Sequence, residues 1–393
     1  MTKDIVILDG VRTAIGTFGG TLAGQTPISL ATKVTAEAMR RSGVDPAQVG
    51  HVVFGHVINT EPRDMYVSRV AAIDAGIPDT SVAMNVNRLC GSGAQAIVSA
   101  AQSLMLGDAD FAVAGGAEVM SRSPYIMPAA RFGQKMGDTQ MIDMMLGALS
   151  DPFGAGHMGI TAENVAEEHG ISREDQDEFA VESQRRAALA VSEGRFKSQI
   201  LPIDVRVRRD TVSFDTDEHV KGNTTLETLS GLRAAFRKGG SVTAGNASGI
   251  NDGAAAMVLA TADAAEKAGL KPRARLVGYA HAGVRPDVMG IGPVPAVQAL
   301  LEKTGMSASD FDVIESNEAF AAQACAVNAG LGLDIAKVNP NGGAIALGHP
   351  VGATGAIITL KALAELDRIG GRYGLITMCI GGGQGIALAF ERL

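Results

Sequence analysis

The two ends of this chain repeat the same order of segments, and this repeat limits the fold more than any other feature of the sequence. In the first part, apolar runs bounded by glycine or proline predict buried strands at 5–8, 52–54, 82–86 and 111–114. Helical patterns lie between them, at 30–41, 65–75 and 93–106. Because strand alternates with helix, the sequence predicts βαβ units and a largely parallel sheet.

The last third of the chain, which has 393 residues in all, shows this order again. Strand patterns fall at 275–280, 311–315, 375–378 and 385–390, and helical patterns at 296–303, 318–329 and 352–368. The run Cys-Gly-Ser-Gly-Ala from Cys90 matches the run His-Pro-Val-Gly-Ala from His349, with Gly and Ala at the same steps. We therefore expect a duplicated α/β domain whose halves pack face to face, with Cys90 and His349 at equivalent positions, each before a helix.

The middle of the chain, from about 119 to 246, is richer in Met, Arg, Gln, Asp and Glu, and the alternation stops there. A helix is predicted from a cap at Ser172 to about Ser192, ended by Gly194. The methionines near Leu146 indicate either ordinary core or a ligand-lining surface; they are Met136, Met141, Met144 and Met145. We expect an insertion at 121–246 between a first core half (1–120 and 247–271) and a second (272–393).

Charge and cysteine usage restrict the partners. The formal net charge of −8 argues against nucleic acid or an anionic membrane as the main partner. Basic residues in the middle segment form either a solvated face or a site for a small anion; they are Arg206, Arg208, Arg209, Lys221, Arg233, Arg237 and Lys238. Three cysteines, no secretory leader pattern and no uncharged apolar run of about 18 residues lead us to expect a cytoplasmic protein.

Cys90 and His349 are the first candidates for chemistry. A helix that starts near Gly93 would lower the pKa of the Cys90 thiol, which favours a nucleophile over a buried small hydrophobe. Gly348 and Pro350 give His349 a rigid mounting, which suits a base, although a turn histidine bonded to the backbone would show the same pattern.

Cys379 and Asn317 complete the candidates. Cys379 ends a strand and precedes three glycines, whose N–H groups can approach a reacting carbonyl. Asn317 lies at a strand-to-helix turn, where its amide would position water or a carbonyl, or cap the helix. Cys325 stands among alanines and is expected to pack. We expect no metal site, since the chain has neither Cys-x-x-Cys nor His-x-x-x-His spacing.

Segments at 87–93, 156–159, 245–249, 317–320, 341–350 and 379–385 resemble the signatures of the thiolase family, in family order along the whole chain. The resemblance implies a layered α-β-α-β-α fold with two pseudo-equivalent mixed sheets, helices packed between and outside them, and an inserted loop domain. It implies that Cys90 is acylated, that His349 is its base and that Cys379 is the acid/base for carbon. The resemblance also implies two oxyanion holes. One is formed by His349 and a water held by Asn317, and the other by the N–H groups of Cys90 and Gly381.

The same resemblance supplies a binding site for coenzyme A (CoA). The residues that match pantetheine-, nucleotide- and acyl-binding positions are Leu149, His157, Met158, Lys221, Ser248, Gly249, Met289, Ala319 and Phe320. Lys221 stands where the family often has arginine. The lysine keeps the positive charge but lacks the forked pair of N–H donors of a guanidinium. The implied partners are acetyl-CoA, acetoacetyl-CoA and CoA, with no cofactor, no nucleic acid, no membrane and a homotetrameric assembly.

The implied reaction joins two acyl-CoA molecules into a 3-ketoacyl-CoA of short chain, or reverses that step, by a ping-pong mechanism. The direction, toward synthesis of acetoacetyl-CoA and polyhydroxyalkanoate precursors or toward fatty acid degradation, stays open. One alternative is a degradative thiolase with a longer-chain range. A second alternative is a ketoacyl synthase, whose site would contain a second histidine in place of Cys379. A third is a non-catalytic binding protein, which would lack one of the reactive residues.

Overall fold

The computed structural model describes residues 3–207 and 209–393, and its first part alternates strands with helices as the sequence predicts. Its elements are β1 (Ile5–Thr13), β2 (Gly16–Thr17), α1 (Pro27–Ser42), β3 (Val49–Gly55), α2 (Val67–Asp74), β4 (Val82–Val86), α3 (Ser92–Leu106) and β5 (Phe111–Val119). The region predicted as helix at 65–75 begins inside a 3-10 turn, Pro62–Tyr66, because Pro62 supplies a fixed φ at its start.

The middle segment contains short strand pairs and two longer helices. It comprises β6 (Tyr125–Ile126), β7 (Ile142–Asp143), α4 (Met144–Ala148), β8 (Ser150–Asp151), β9 (Gly156–His157), α5 (Met158–His169), α6 (Arg173–Ser192), β10 (Ile200–Leu201), β11 (Ile203–Val207), β12 (Asp210–Phe214) and α7 (Leu226–Ser230). The prediction for α6 is confirmed: Ser172 accepts the N–H of Asp175 at its start, and the helix ends at Ser192, two residues before Gly194.

The chain then completes the first half and forms the second. The remaining elements are β13 (Asn251–Thr261), α8 (Ala262–Lys267), β14 (Ala274–Gly283), α9 (Pro293–Thr304), β15 (Val313–Ser316), α10 (Ala321–Leu331), α11 (Ala344–Leu347), α12 (Thr354–Ile369), β16 (Tyr373–Ile380) and β17 (Gln384–Arg392). Each strand pattern predicted in the last third lies within or overlaps one of these strands.

The sheet topology confirms the duplication. The strand order is β15-β16-β17-β14-β1-β13-β5-β3-β4. Reading outward from the centre, β14-β17-β16-β15 repeats β1-β13-β5-β3, including an antiparallel start and a parallel outer pair. The two strand sets are also joined, since β1 and β14 pair antiparallel at Val6 with Arg275 and at Ile7 with Ala274. A large mixed sheet with helices packed on it results. The prediction of a largely parallel sheet is wrong, because most of the pairings along the strand order are antiparallel.

The burial predicted for residues 82–86 is wrong, although the strand is present with those bounds. β4 is the edge strand beside β3, and the side chains of Val82 and Met84 are 60% and 39% exposed. An apolar strand at an edge has the composition of a core strand, so its sequence does not distinguish the two.

The methionines and the basic residues of the middle segment lie mostly at the surface. Met136 and Met141 are exposed, so the core interpretation is wrong for them. Arg206 and Arg209 are exposed on the hairpin of β11 and β12, whereas Arg208 lies outside the described residues. Among the residues that the model describes, no helix is long and apolar enough to cross a membrane.

A buried ion pair attaches the middle segment to the core. Arg12 of β1 is fully buried, and its guanidinium donates to both carboxylate oxygens of Asp217, at 2.7 and 2.9 Å. Its Nε donates to Gln199 at 2.9 Å. These bonds satisfy the charged group, because a buried guanidinium without such partners would be strongly destabilising.

Helices α3 and α12 cross at glycines, so that their N-terminal ends lie together. A Cβ on Gly93 would lie 2.7 Å from the backbone N of Ala356, and a Cβ on Gly355 would lie 2.1 Å from the backbone N of Ala94. No real side chain fits at such distances, so glycine is required at both positions. Since Cys90 precedes α3 and His349 precedes α12, this crossing brings the two together from opposite halves.

The crossing supports a test of stability. We expect Gly355→Ala to lower the free energy of unfolding by about 1–3 kcal/mol, because the methyl group forces the helices apart. Gly24→Ala is the control, since a Cβ on Gly24 would meet no atom within 4 Å. Urea unfolding followed by circular dichroism measures both. Equal stability of the two variants would contradict a close crossing.

Candidate active site

A cavity lies between the two halves and the middle segment. Cys90 and His349 both face it, together with residues that the resemblance assigns to the substrate. Its lining is Val57, Leu89, Cys90, Ala148, Leu149, Met158, Ser248, Met289, Ala319, Phe320, His349, Val351 and Gly381. We call this space the catalytic cavity.

A tight turn between β4 and α3 presents Cys90. Leu89 has a φ of +45°, an unusual conformation for a residue with a branched side chain. The side chain of Asn87 accepts the N–H of Leu89 at 3.0 Å, and Ser92 accepts the N–H of Arg88 at 2.9 Å. These bonds hold the strained turn, and the half-buried thiol of Cys90 points into the catalytic cavity.

Burial raises the pKa of the Cys90 thiol to about 11, and the carboxylate of Glu118 adds to the rise. Hydrogen bonds from the N–H groups of Gly381 and of Cys90 itself act in the opposite direction. The prediction that a helix N-terminus lowers the pKa of Cys90 is therefore wrong, because the net shift is upward. Helix α3 begins at Ser92, after a Gly91 cap, and the loss of solvation outweighs its dipole. The thiol needs a base beside it.

Two hydrogen bonds determine which nitrogen of His349 carries the proton. Thr354 donates its single hydroxyl hydrogen to the carbonyl of Pro350, at 2.9 Å. We assign the tautomer of His349 from this contact: the same hydroxyl oxygen lies 2.7 Å from Nδ1 and is then free to accept a hydrogen from it. The lone pair is therefore on Nε2, which faces the amide nitrogen of Asn317 at 3.4 Å. This is the tautomer that a base acting through Nε2 requires.

The backbone around His349 is held as firmly as its ring. Its N–H donates to the side chain of Asn251 at 2.9 Å. Gly348 has a φ of +109°, and a Cβ on it would lie 2.5 Å from Cγ of Asn251. The rigid mounting predicted from Gly348 and Pro350 is present, and the alternative of a turn histidine bonded only to backbone is wrong, because the ring contacts side chains.

Burial lowers the pKa of His349 to about 4, and only 5% of the residue is exposed. The imidazole is neutral at pH 7 and can accept a proton. In the unfolded chain it would titrate near its ordinary value of about 6.5. The unfolded state therefore binds more protons below that pH, and this group's contribution to stability is lost as the pH falls from about 6.5 to about 4.

Cys379 lies near the end of β16 and is fully buried. Burial raises its pKa, and the nearby Cys90 raises it further, so the two sulfurs share one electrostatic environment. Cys379 is consequently a thiol at neutral pH, with a proton to donate.

The turn after Cys379 requires glycine. Gly382 and Gly383 have φ values of +83° and +89°, and a Cβ on Gly381 would lie 2.9 Å from Cε of Met158.

Asn317 follows β15, and its N–H donates to the carbonyl of Thr377 at 3.0 Å. It does not cap the next helix, because α10 begins at Ala321 with Phe320 at its N-cap. The helix-cap alternative is therefore wrong. Its side-chain Oδ1 is buried and has no hydrogen-bond partner among the described residues. That oxygen can accept a hydrogen bond from a water or a ligand in the site.

Sequence reasoning did not identify Glu118, which bridges the two halves behind the cavity. Its carboxylate accepts the N–H groups of Val57 and Ile58 from the first half and of Gly352 from the second, at 3.0, 3.1 and 3.0 Å. The signal available was an acidic residue at the end of an apolar strand, β5, whose residues are all buried. Thr354 was also missed, because a threonine in a small-residue helix is unremarkable.

The expected substrate residues fall into two groups. Leu149, Met158, Ser248, Met289, Ala319 and Phe320 line the catalytic cavity. His157 does not. Its ring accepts the N–H of Gly159 at 3.0 Å, which caps α5, and stacks on Phe236 with centroids 4.7 Å apart. Phe236 in turn packs edge-on against Phe320, so His157 supports the cavity wall from behind.

Lys221 lies in a separate cavity that is open to solvent, which we call the lysine cavity. Its lining is Gln184, His219, Lys221, Asn223, Thr224, Thr228, Leu229, Leu232, Ala244, Gly245 and Ile345. Gly249 adjoins it, since a Cβ there would lie 2.5 Å from Cε1 of His219. The segment from Gly245 to Ser248 connects the two cavities, because its first residue lines one and its last lines the other.

Cys325 does not line the catalytic cavity. Cys325 lies in α10, where its sulfur is 3.9 Å from the carbonyl of Asp175 and burial raises its pKa to about 12. Cys325 packs within the protein, as expected.

Within the described part of the chain, no group of three or more His, Cys, Asp or Glu side chains could hold a metal ion.

The tautomer argument leads to a test at Thr354. Thr354→Val keeps the shape but leaves Nδ1–H buried without an acceptor, and we expect the second-order rate of Cys90 alkylation by iodoacetamide near pH 7 to fall about tenfold. Thr354→Ser keeps the hydroxyl and should stay within about threefold of wild type. Thermal unfolding of both variants separates this effect from misfolding. Equal alkylation rates in the valine and serine variants would contradict the assignment.

Comparisons with known proteins identify the family. The models "Thiolase, N-terminal domain" and "Thiolase, C-terminal domain" match residues 5–263 and 270–392. The chain is 61% identical to the beta-ketothiolase BktB of Cupriavidus necator and 49% identical to an acetyl-CoA acetyltransferase of Escherichia coli, over 100% of both chains in each case.

Solved structures show the same fold. The acetyl-CoA acetyltransferase of Bacillus anthracis, 48% identical, superposes with a TM-score of 0.97 over 100% of this chain and 99% of that one. Human mitochondrial 3-ketoacyl-CoA thiolase, 42% identical, superposes with a TM-score of 0.98 over the same shares. With both domain models matched in order over nearly its full length, the chain belongs to the thiolase family.

Proposed function

We propose that this chain is a beta-ketothiolase with acetyl-CoA C-acetyltransferase activity. It cleaves short 3-ketoacyl-CoA esters with CoA, and in reverse condenses two acyl-CoA molecules. The observation that carries the proposal is that Cys90 and His349 line one cavity while the buried Cys379 lies close enough to Cys90 for Cys90 to raise its pKa. The names of the relatives support the same activity.

In the direction of cleavage, Nε2 of His349 takes the proton of Cys90, and the thiolate attacks the keto carbon of the substrate. The bond between the second and third carbons breaks, which leaves the acyl group on Cys90 and an acetyl-CoA enolate. Cys379 gives its proton to the enolate carbon and becomes a thiolate. Acetyl-CoA then leaves the site.

The second half returns every proton. The Cys379 thiolate takes the proton of the CoA thiol, and the resulting CoA thiolate attacks the acyl group on Cys90. The Cys90 thiolate that departs receives the proton held by His349. Acyl-CoA is released and all three groups are neutral again, which is the ping-pong pattern of a covalent intermediate.

The developing negative charges need donors that are already in place. The N–H groups of Gly381 and Cys90, which already contact the thiol, suit the oxygen of the acyl group on Cys90. The protonated Nε2 of His349, with a water held by Asn317, suits the enolate oxygen. The buried, unpaired Oδ1 of Asn317 supports this second role.

We assign the nucleotide end of CoA to the lysine cavity. Lys221 supplies a positive charge there, and the segment from Gly245 to Ser248 leads from that charge to the catalytic cavity. A lysine ammonium attracts phosphate as a point charge, without the two-pronged geometry of arginine. Ser248 and Gly249 then flank the pantetheine arm. The chemistry draws on CoA substrates and on side chains, without a further cofactor.

We also propose a homotetramer, built as a dimer of dimers. Two separate apolar surfaces support it: the edge strand β4, with Val82 and Met84 exposed, and the middle segment, in which Phe132 and Met136 are 91% and 89% exposed. On this proposal the segment 121–246 serves as a loop domain for both CoA binding and assembly. The cysteines are free, which suits a reducing compartment such as the cytoplasm.

Substitutions of Cys90 and of Cys379 should impair different steps of the reaction. Cys90→Ala should abolish transfer of radiolabelled acetyl from acetyl-CoA to the protein and lower thiolysis of acetoacetyl-CoA by a factor on the order of 10³ or more. Cys379→Ser should keep part of the acetyl labelling, in which Cys379 only exchanges a proton with CoA sulfur, and lose thiolysis, in which it must also protonate carbon. Rapid-quench labelling and CoA-ester absorbance measure the two steps. Normal labelling of Cys90→Ala would rule out the proposed nucleophile.

Lys221 provides a test of CoA binding. Lys221→Ala should raise KM for CoA about tenfold, since a charge-assisted contact to phosphate contributes about 1.5 kcal/mol or more. The KM for pantetheine, which lacks the nucleotide, should be unchanged. Steady-state thiolysis of acetoacetyl-CoA with each thiol gives both values. A parallel rise for CoA and pantetheine would remove Lys221 from the nucleotide site.

A further inference from the structure

Asn317 and His349 are held in their common position by different means. The backbone and the ring of His349 are both bonded to neighbouring side chains. Among the described residues, the side-chain amide of Asn317 hydrogen-bonds only to Nε2 of His349, at 3.4 Å. The N–H of Asn317 donates to the carbonyl of Thr377, which fixes the backbone at one point. The direction of the Asn317 side chain therefore depends on the residues on either side of it, Ser316 and Glu318.

Glu318 directly follows Asn317, is 1% exposed, and accepts three hydrogen bonds from other parts of the chain. Its Oε1 accepts the side-chain N–H of Asn339 at 2.8 Å. Its Oε2 accepts the hydroxyl of Ser183 at 2.7 Å and the backbone N–H of Ile345 at 3.2 Å. Ser183 belongs to α6 of the middle segment, and Ile345 belongs to α11, the short helix before the catalytic histidine. The carboxylate thus joins three separate parts of the fold next to Asn317.

Asn339 holds the residue on the other side of Asn317. Its Oδ1 accepts the N–H of Ser316 at 2.9 Å, and its Nδ2 donates to the carbonyl of Ser316 at 2.7 Å. These two backbone bonds determine which way the amide points, so its remaining N–H faces Glu318. Asn339 has a φ of +44°, which asparagine adopts more readily than most residues. Ser316 and Glu318 are therefore held by one clamp, with Asn317 between them.

The partners of Glu318 require a carboxylate at this position. All three are donors, so both oxygens must accept. Burial raises the pKa of Glu318, and its bonds with Ser183, Asn339 and Ile345 act in the opposite direction. Glutamine has the same shape, but its NH2 group would face a donor in either orientation. One side presents the amide of Asn339, and the other presents the N–H of Ile345.

We propose that Glu318 is a positioning residue for the carbon–carbon bond step, because it holds the amide of Asn317 against His349. The inference rests on the proposed function, in which His349 and a water on Asn317 stabilise the enolate oxygen. The same function assigns removal of the Cys90 proton to His349 without Asn317. Loss of the bonds to Glu318 should therefore slow the reaction at carbon and leave the base in place.

Glu318→Gln separates these two reactions of the site. We expect kcat for thiolysis of acetoacetyl-CoA to fall about tenfold or more, since a misplacement of about 1 Å in a catalytic site can cost about 100-fold. The KM for CoA should stay within about threefold of wild type, because Glu318 lines neither the catalytic nor the lysine cavity. Alkylation of Cys90 by iodoacetamide near pH 7 should also stay within about threefold, because Asn251 and Thr354 hold His349 independently.

Glu163→Gln is the matched control. Glu163 lies in α5 and is 3% exposed, and its carboxylate likewise accepts two backbone N–H groups and a hydroxyl, from Ser241 and Val242. We expect it to lower thermal stability about as much as Glu318→Gln and to keep kcat within about threefold of wild type. Ser183→Ala removes one donor from Glu318 and should show the same selective loss of kcat to a smaller extent. That variant covers the case in which Glu318→Gln does not fold.

A double-mutant cycle with Asn317→Ala shows whether Glu318 acts through Asn317. In that background Glu318→Gln should lower kcat by less than about threefold, because no amide is left to position. Full additivity of the two losses would overturn the inference, as would an unchanged kcat in folded Glu318→Gln and Ser183→Ala proteins. An equal loss of thiolysis and of Cys90 alkylation would also overturn it. A wild-type protein that does not cleave acetoacetyl-CoA would instead remove the proposed function, and the role of Glu318 with it.

Discussion

The site depends on the contact between helices α3 and α12. Gly93 and Gly355 let the two backbones approach until each glycine lies against main-chain atoms of the other helix. The loops before these helices carry Cys90 and His349, so residues 259 positions apart in the chain become neighbours in one cavity. Glu118 reinforces this arrangement, because its carboxylate binds N–H groups from both halves. The duplicated fold therefore creates the site at its own symmetric junction.

Burial at that junction sets the resting protonation states. It raises the pKa of Cys90 to about 11 and that of Cys379 further, and it lowers the pKa of His349 to about 4. All three groups are neutral at pH 7, so the resting site holds two thiols and one free base. Charge appears only when a substrate carbonyl is present to receive it. On the proposed mechanism, the N–H groups of Gly381 and Cys90 then stabilise the anion where it forms, which is where preorganised donors are most effective.

The duplication could be predicted from the sequence, and so could the meeting of Cys90 with His349, because strand and helix periodicity and glycine-flanked reactive side chains are local signals. The exposure of a strand and the pKa of a buried group could not be predicted, because residues far away in the sequence determine them. The apolar strand β4 is partly exposed because nothing in its own composition shows that it ends the sheet. The pKa of Cys90 is raised because desolvation by both halves exceeds the effect of one helix end. Thr354 became recognisable only when its hydroxyl was found between Pro350 and the imidazole.

On the proposed function, the phosphate-binding charge is kept away from the reacting sulfur. Among the described residues that line the catalytic cavity, Cys90 and His349 are the only ones with ionisable side chains. Lys221 lines a separate cavity that shares no lining residue with it. The ammonium can therefore attract a CoA phosphate without standing beside the thiolate that forms on Cys90, and the neutral resting state of the catalytic cavity does not depend on it.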